Sequence, residues 1–406
     1  MLITKIHNKY YDLSNFKHPG GDIPMYLSAN RDATELFESH HIFSDREKII
    51  KILEKYEVAE PYDNKIESND IYDWEETLKS EFTRELKEIV REEIKYKTMK
   101  ASSLRIIEMS SLFSIYLINL YYYLQGNNYG LLVYPLSLWM FTVNIYHDAS
   151  HFALSHNPVI NKLGTYTALM FSLTYNWYHQ HIIGHHCYVN IESRDPDLYH
   201  SPKYVRHGTD IRRNKYHKIQ KGTFALLWPL AVPLGLMLTG FMKTQKGKAY
   251  NKVVKLSSAL NKASMYYEML FVIMYMIIMP YIATGKIIYV IYPYLGYSVL
   301  FMICTQINHL TEDALKGKER NYYKHQIIAS QNVGVKSYWT YLFTGGLNMQ
   351  IEHHLLPSVN HCHLRKIQGE IEELCKRHNV VYNKSEGILD ALYKHYRHIE
   401  ALGERG

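Results

Sequence analysis

The sequence lacks paired cysteines, and its first residues do not show the pattern of a secretory leader. Its four cysteines are scattered through 406 residues without a Cys-x-x-Cys motif. This spacing argues against a disulfide framework or a cysteine zinc site, and it suits a reducing compartment. Residues 1–10 contain neither a continuous apolar region nor a small-residue cleavage site, so we expect no signal peptide.

Positive charge is missing from one central region, because no Lys or Arg occurs between Arg105 and Lys162. Residues 104–124 and 130–146 are apolar and close to the roughly 20 residues that a helix needs to cross a bilayer. A polar, uncharged turn at 125–129 separates them. The pattern predicts a helical hairpin in the membrane, although the slightly negative mean hydropathy excludes a chain that lies mostly in lipid.

A second hairpin is predicted from the apolar runs 264–283 and 287–308. The segments 203–221 and 243–262 are strongly basic, and basic loops remain on the cytosolic side. We therefore expect four crossings, with both termini and all histidine clusters cytosolic. Two further apolar runs should lie in the interface without crossing: 158–176 and 223–242.

Acidic and basic residues are divided unevenly along the chain. Residues 1–100 hold 16 Lys and Arg against 21 Asp and Glu, whereas the remainder is basic. Two units of opposite charge could attract each other, and the basic unit could face anionic lipid headgroups. Nucleic acid binding is disfavoured because the basic residues alternate with long apolar runs.

Three regions follow from these patterns. We predict a small α+β unit at 1–60, a linker and amphipathic helix at 61–100, and an all-α membrane domain at 101–406. In the middle region the helix should cover 73–97, since apolar residues recur at helical spacing there. Its apolar face would consist of Leu78, Phe82, Leu86, Ile89 and Ile94.

A possible haem site lies in the first unit. The motif His18-Pro-Gly-Gly-Asp22 is followed by His41, at the end of a helical pattern. A six-coordinate haem iron takes one axial imidazole from each side, and glycine lets the backbone approach the macrocycle closely. Taken alone, the first motif could be a plain turn. Three apolar residues were expected to line the pocket: Leu27, Leu36 and Phe37.

The two halves together resemble the cytochrome b5 family. The resemblance implies a haem b with His18 and His41 as axial ligands, and His40 as the alternative to His41. The family's phrase before the proline motif is similar to residues 10–16 here, Tyr-Tyr-Asp-Leu-Ser-Asn-Phe. Few residues precede that phrase, so the family's first strand and helix should be shortened.

Three histidine clusters lie beside the predicted membrane segments. The i, i+4 spacing of the first places both imidazoles on one helical face. Seven clustered imidazoles exceed the needs of one tetrahedral zinc and favour two metals. The clusters, called the first, second and third histidine motifs, are His147 and His151; His181, His185 and His186; and Gln350, His353 and His354.

The three motifs, in this order, resemble the histidine boxes of the membrane fatty acyl desaturases. A glutamine that opens the third box and a fused haem domain are similar to the front-end desaturases, with a preference for the delta-5 type. The resemblance implies that the eight residues of the three motifs are catalytic. The seven histidines would bind two non-haem iron ions together with His309, which matches a further family histidine.

The implied reaction is the O2-dependent insertion of a cis double bond into a polyunsaturated fatty acyl chain, with electrons passed through haem. A sphingolipid desaturase or a fatty acyl hydroxylase is the alternative, and a haem-containing electron carrier is a weaker one. The expected partners are an acyl-CoA or acyl-lipid, O2, NADH-cytochrome b5 reductase and the bilayer. The expected location is the endoplasmic reticulum.

Nine other histidines lack such spacing, and we expect most of them to be solvated or interfacial. They are His156, His179, His200, His207, His217, His325, His361, His363 and His378.

Overall fold

The N-terminal unit is a three-stranded antiparallel sheet covered by three short helices. The computed structural model describes residues 2–60, 66, 70–247, 254–315 and 318–404. The first strand is present but short, as the sequence predicts. The strands are β1 (Ile3–Ile6), β2 (Lys9–Asp12) and β3 (Glu57–Val58), and the helices are α1 (Asp22–Ser28), α2 (Thr34–His40) and α3 (Arg46–Leu53).

Two connector helices replace the single helix expected at 73–97. They are α4 (Trp74–Lys79) and α5 (Glu81–Glu93). The chain breaks at Ser80, whose side chain accepts a hydrogen bond from the Thr83 N–H and caps α5. The apolar face of α5 then packs on the C-terminal helix α19 defined below.

The remainder of the chain is helical and contains one short pair of parallel strands. The first hairpin pairs α6 with α7 over most of their lengths. The helices are α6 (Ser103–Leu124), α7 (Asn128–Ser150), α8 (Pro158–Thr165), α9 (Thr174–Trp177), α10 (His186–Tyr188), α11 (Gln220–Leu230), α12 (Gly240–Gln245), α13 (Ser264–Ile273), α14 (Met279–Thr284), α15 (Ile288–Gln306), α16 (Tyr322–Ile328), α17 (Tyr338–Thr344), α18 (Gln350–Leu355), α19 (Leu364–Arg377) and α20 (Ile388–Glu404), and the strands are β4 (Gln331–Val333) and β5 (Asn383–Ser385).

Four helices in the described part of the chain are long and apolar enough to cross a membrane. One of them is His217–Gln245, which joins α11 and α12 through a π-helical segment and which we expected to lie in the interface. Helix α7 is not among the four, since its tyrosines, proline and asparagine dilute its apolar residues. The count of four is confirmed, whereas the membrane position of these two helices stays a prediction. The other three are Tyr96–Leu124, Ser264–Thr284 and Ile288–Gln306.

Candidate functional site

The first histidine motif stands at the C-terminal end of α7. His147 lies in the last turn and His151 is the residue that follows the helix. Both side chains are buried, and their ring centroids lie 4.8 Å apart. The i, i+4 spacing therefore places both imidazoles on one face, as predicted.

The second motif lies on a π-helical segment, Tyr178–His185, that continues α9. The His186 N–H donates to the His181 carbonyl, which is the i to i+5 bond of a π-helix. Residues five apart then share a side, so His181 and His186 face the same group of imidazoles. His185 faces another group.

The third motif occupies α18 and divides its two histidines in the same way. His353 Nε2 lies 3.1 Å from His186 Nε2, whereas His354 Nε2 lies 3.1 Å from His309 Nε2. Gln350 Nε2 lies 2.8 Å from that same nitrogen of His309. Adjacent histidines thus reach different partners because consecutive side chains on a helix diverge.

Two groups of buried imidazoles result. Within each group, one nitrogen of every member lies within 4.8 Å of all the others. Two nitrogens bound at about 2 Å to one metal at right angles lie about 3 Å apart, which fits the contacts of 2.9–3.1 Å seen here. The five-histidine group comprises His147, His151, His181, His186 and His353, and the three-histidine group comprises His185, His309 and His354.

Outer hydrogen bonds fix which nitrogen of each ring faces the three-histidine group. His354 Nδ1–H donates to Gln326 Oε1 over 2.9 Å, and His309 Nδ1–H donates to the Ala329 carbonyl over 3.0 Å. His185 Nδ1–H donates to Asp195 over 3.1 Å. In each case Nε2 carries no hydrogen in the neutral ring, which is the state that binds a metal.

A glycine makes the contact between His185 and Asp195 possible. A Cβ at Gly184 would lie only 2.6 Å from the ring of Pro196. The turn that carries Asp195 and Asp197 therefore lies directly against the second motif. Neither carboxylate was predicted as part of the site.

His361 belongs to the site, whereas we expected it to be among the histidines that are solvated or interfacial. Its Nδ1–H donates to the Gly345 carbonyl over 2.6 Å, so its Nε2 accepts from His353 Nδ1–H over 3.1 Å. These two hydrogen bonds leave His353 Nε2 free to face the five-histidine group. A Cβ at Gly346 would overlap His361, so this approach requires glycine. The only signal in the sequence is its position seven residues after His354.

Most of the other unassigned histidines are also buried, which corrects the prediction. Only His156 is exposed, and His200 and His378 are half-buried. Main-chain carbonyls accept hydrogen bonds from all of the buried ones except His207, as for His179 with Tyr175, and sequence spacing does not reveal such partners. The buried ones are His179, His207, His217, His325, His361 and His363.

Burial keeps most of the clustered imidazoles neutral. It lowers the pKa of His186 and His354 well below the usual value, and neighbouring histidines add to the effect. At His185 burial also acts to lower the pKa, but the charges of Asp195 and Asp197 outweigh it and raise the pKa. Neutral imidazole is the form that binds a metal, so the environment suits metal ligation.

A cavity of about 350 Å³ leads to both groups of histidines. It lies between the helix His217–Gln245, α15 and the second motif. His181, His309 and Gln350 form part of its polar wall, and its other walls are largely apolar. Its apolar lining includes Trp177, Trp228, Leu234 and Phe301.

The haem-type pair lies in the N-terminal unit. The ring centroids of His18 and His41 are 6.0 Å apart. A metal bound to an imidazole nitrogen lies about 3 Å from the ring centroid, so one iron fits between them. Phe37 lies beside His41, at 4.6 Å between ring centroids. Leu27 and Leu36 do not follow the prediction, because both pack against the second histidine motif.

The fold and the site define a membrane oxidoreductase with a fused haem domain. Residues 128–386 match the fatty acid desaturase family, and residues 2–61 match the cytochrome b5-like haem/steroid binding domain. The chain belongs to the fatty acid desaturase family. Its cofactors are a haem in the N-terminal domain and two non-haem iron ions, which the clustered imidazoles fit.

Relatives resemble the chain along nearly its full length. Delta(5) fatty acid desaturase A of Dictyostelium discoideum is 30% identical over 98% of this chain and 90% of its own length. Acyl-lipid (8-3)-desaturase of Mortierella alpina is 27% identical over 100% and 94%. Acyl-lipid omega-13 desaturase of Chlamydomonas reinhardtii is 24% identical over 98% and 93%. No solved structure matches the chain.

Proposed function

We propose that the protein is a front-end desaturase, with delta-5 as the position of the new double bond. It would insert a cis double bond between an existing one and the carboxyl end of a polyunsaturated acyl chain. The observation that carries the proposal is the apolar cavity that leads to both groups of imidazoles. Relatives named as Delta(5) desaturases support the position.

Each histidine of the two groups, and each of the haem pair, has a proposed role as a metal ligand. The five-histidine group would hold one iron and the three-histidine group the other, and iron activates O2 for the removal of two hydrogens. Gln350 would complete the second site, because its amide reaches His309 Nε2. Rotating that amide would break the hydrogen bond from Asn308 Nδ2 to its carbonyl oxygen and bring that oxygen near the same point, where it would bind a metal or a metal-bound water. His18 and His41 would bind the haem.

Each of the three regions of the chain has its own proposed role. Residues 1–60 would carry the haem, 61–100 would connect, and 101–406 would bind the acyl chain and the irons. We propose NADH-cytochrome b5 reductase as the electron donor and either acyl-CoA or acyl-lipid as the substrate form. The proposed location is the endoplasmic reticulum, with the histidine motifs and both termini cytosolic.

Product analysis tests the reaction. The full chain is expressed in a host that makes no polyunsaturated fatty acids, which is then fed several of them. We expect products that depend on which fatty acid is supplied. Each should carry a new double bond on the carboxyl side of the existing ones. Hydroxylated acids, or unsaturated sphingoid bases in place of unsaturated fatty acids, would contradict it.

A pair of glycine variants tests the cavity. A Cβ at Gly235, which lines the cavity, meets no atom within 4 Å, and the same holds for Gly222 in α11, which is absent from the lining. Gly235→Leu should therefore fill the cavity without a backbone clash and sharply reduce product. Gly222→Leu is the matched control and should leave product near normal. Equal yields from the two variants would show that the acyl chain does not bind in this cavity.

A further inference from the structure

The haem domain is docked on the helix that carries the second histidine motif. Leu27 of the haem domain is fully buried in a cluster with Tyr178 and Ile182 of that motif's helix. At Gly21, a Cβ would lie 2.8 Å from Pro158, so the loop that follows His18 touches α8. The two parts of the chain therefore share a close-packed interface.

Hydrogen bonds to the main chain give this interface one orientation. Ser257 Oγ donates to the Tyr26 carbonyl over 2.5 Å, and Lys255 Nζ donates to the Asn30 carbonyl over 3.0 Å. Arg31 Nη2 donates in return to the Lys255 carbonyl over 2.6 Å. Such directional contacts fix the register of the two surfaces as well as holding them together.

One more contact anchors the start of α2. Glu35 is buried and accepts hydrogen bonds from Tyr188, which follows the second motif, and from Trp74 of the connector. Helix α2 ends at His40, directly before His41. The anchored helix thus presents its histidine end to the membrane domain.

His40 lies between the haem ligand and the non-haem site. Its ring is stacked on that of His151, at 6.5 Å between centroids and 16° between planes. It also meets Phe152 edge-on at 6.2 Å. Its Nε2 atom is buried and has no hydrogen-bond partner within the described ranges of the chain. The neighbouring residue His41 faces His18 instead.

We propose that His40 is a positioning residue whose ring closes the gap between the haem ligand His41 and the metal-site residue His151. The proposal rests on the proposed ligand roles of His41 and His151. In each transfer, one electron leaves ferrous haem, which becomes ferric, and one ferric non-haem iron becomes ferrous. His40 is chemically unchanged, and a flavoprotein or dithionite supplies the electron to the haem.

The packing explains why this residue matters more than its neighbours. Leu27 buries more of its surface in the interface, but it packs in an apolar cluster with Tyr178 and Ile182. Removing the His40 ring would leave a void between two surfaces that other contacts hold in place, since packed interiors do not collapse fully around a deletion. The domains should therefore remain docked while the direct contact between the sites is lost.

The test compares three variants of the full chain, each loaded with haem and iron. The protein is reduced with dithionite without oxygen, mixed with O2 and acyl substrate, and followed by the absorbance of the haem. His40→Ala should slow haem oxidation at least tenfold, while the haem spectrum, its reduction potential and its reduction by the flavoprotein stay unchanged. His40→Phe keeps a ring in this place and should restore most of the rate.

Leu27→Ala is the matched control, because it truncates a fully buried residue of the same interface. It should change the rate less than threefold. A rate of His40→Ala within twofold of the parent, an equal loss in Leu27→Ala, or loss of the bis-imidazole spectrum in His40→Ala would each overturn the proposal. A parent protein that passes no electrons from haem to non-haem iron would instead contradict the proposed function itself.

Discussion

The haem pair and the non-haem groups use the same side chain in opposite settings. His18 and His41 are half-buried; His18 lies in the loop between β2 and α1, and His41 directly follows α2. The eight histidines of the other two groups are buried and come from four separate segments. Haem brings four of its own ligands and needs only an axial pair, whereas free iron ions take nearly all their ligands from the protein.

The comparison teaches how much support each ligand requires. The outer partners of the haem pair are local, since His18 Nδ1 accepts from the Gly20 N–H and His41 Nδ1–H donates to the Phe37 carbonyl. The outer partners of His185, His309, His353 and His354 come from other segments of the chain. Such partners orient the ring and select the nitrogen that binds. A substitution in the buried groups should therefore disturb more ligands than a substitution in the haem pair.

The largest effect should follow from removing a ligand of the three-histidine group. His185→Ala leaves a coordination gap in a buried site and exposes the charges of Asp195 and Asp197 to the remaining members. We expect product to disappear and non-haem iron content to fall, while the haem spectrum persists. The control is His156→Ala, whose side chain is exposed, and it should retain activity. Normal desaturation by His185→Ala would show that the reaction does not need the three-histidine group.

The haem pair should be the less costly loss. His18→Ala should abolish the reduced-minus-oxidised haem spectrum and leave the non-haem iron in place, because the two sites share no ligand. Activity should fall strongly in a host without cytochrome b5 and recover in part when free cytochrome b5 is supplied. A persistent bis-imidazole spectrum would mean that His18 is not an axial ligand.

A smaller effect than loss of a haem ligand is expected from His361, which lies behind the ligand His353. His361→Ala removes the acceptor that orients His353, and losses of outer partners typically cost about 10- to 100-fold in metal affinity or activity. Iron content and product should fall together while the haem spectrum is unchanged. The matched control is His363→Ala, because His363 donates away from the site, to the Lys100 carbonyl. Equal activities of the two variants would show that His361 is not needed.

The smallest effect is a dependence of the haem domain on pH. Burial, with the nearby His41, lowers the pKa of His18 to about 4 in the folded chain, against an ordinary value near 6.5. The unfolded state then binds more protons between pH 6.5 and 4, so stability decreases as the pH falls through this window. The urea midpoint for loss of the haem absorbance should be lower at pH 5 than at pH 7. Equal midpoints would contradict this.

Much of the site could be assembled from sequence because its residues stand in dense, ordered motifs. The histidines of all three motifs meet in one region, and His309 joins them from a position predicted by family resemblance and by its place at the end of an apolar run. His361, Asp195 and Gln326 were missed because they act through one hydrogen bond each, and no spacing rule marks such a partner. The break of the connector at Ser80 was missed because a serine cap competes locally with helix continuation.

The sequence by itself determined the chemistry: which imidazoles exist, that they are too many for one metal, and that apolar runs flank them. The tertiary structure alone decided how they are divided. A π-helical turn sends His185 to one group and His186 to the other. The docked haem domain likewise places His40 on His151, because the packing of α1 and α2 against a distant helix fixes that contact, and such long-range packing leaves no local pattern in the chain.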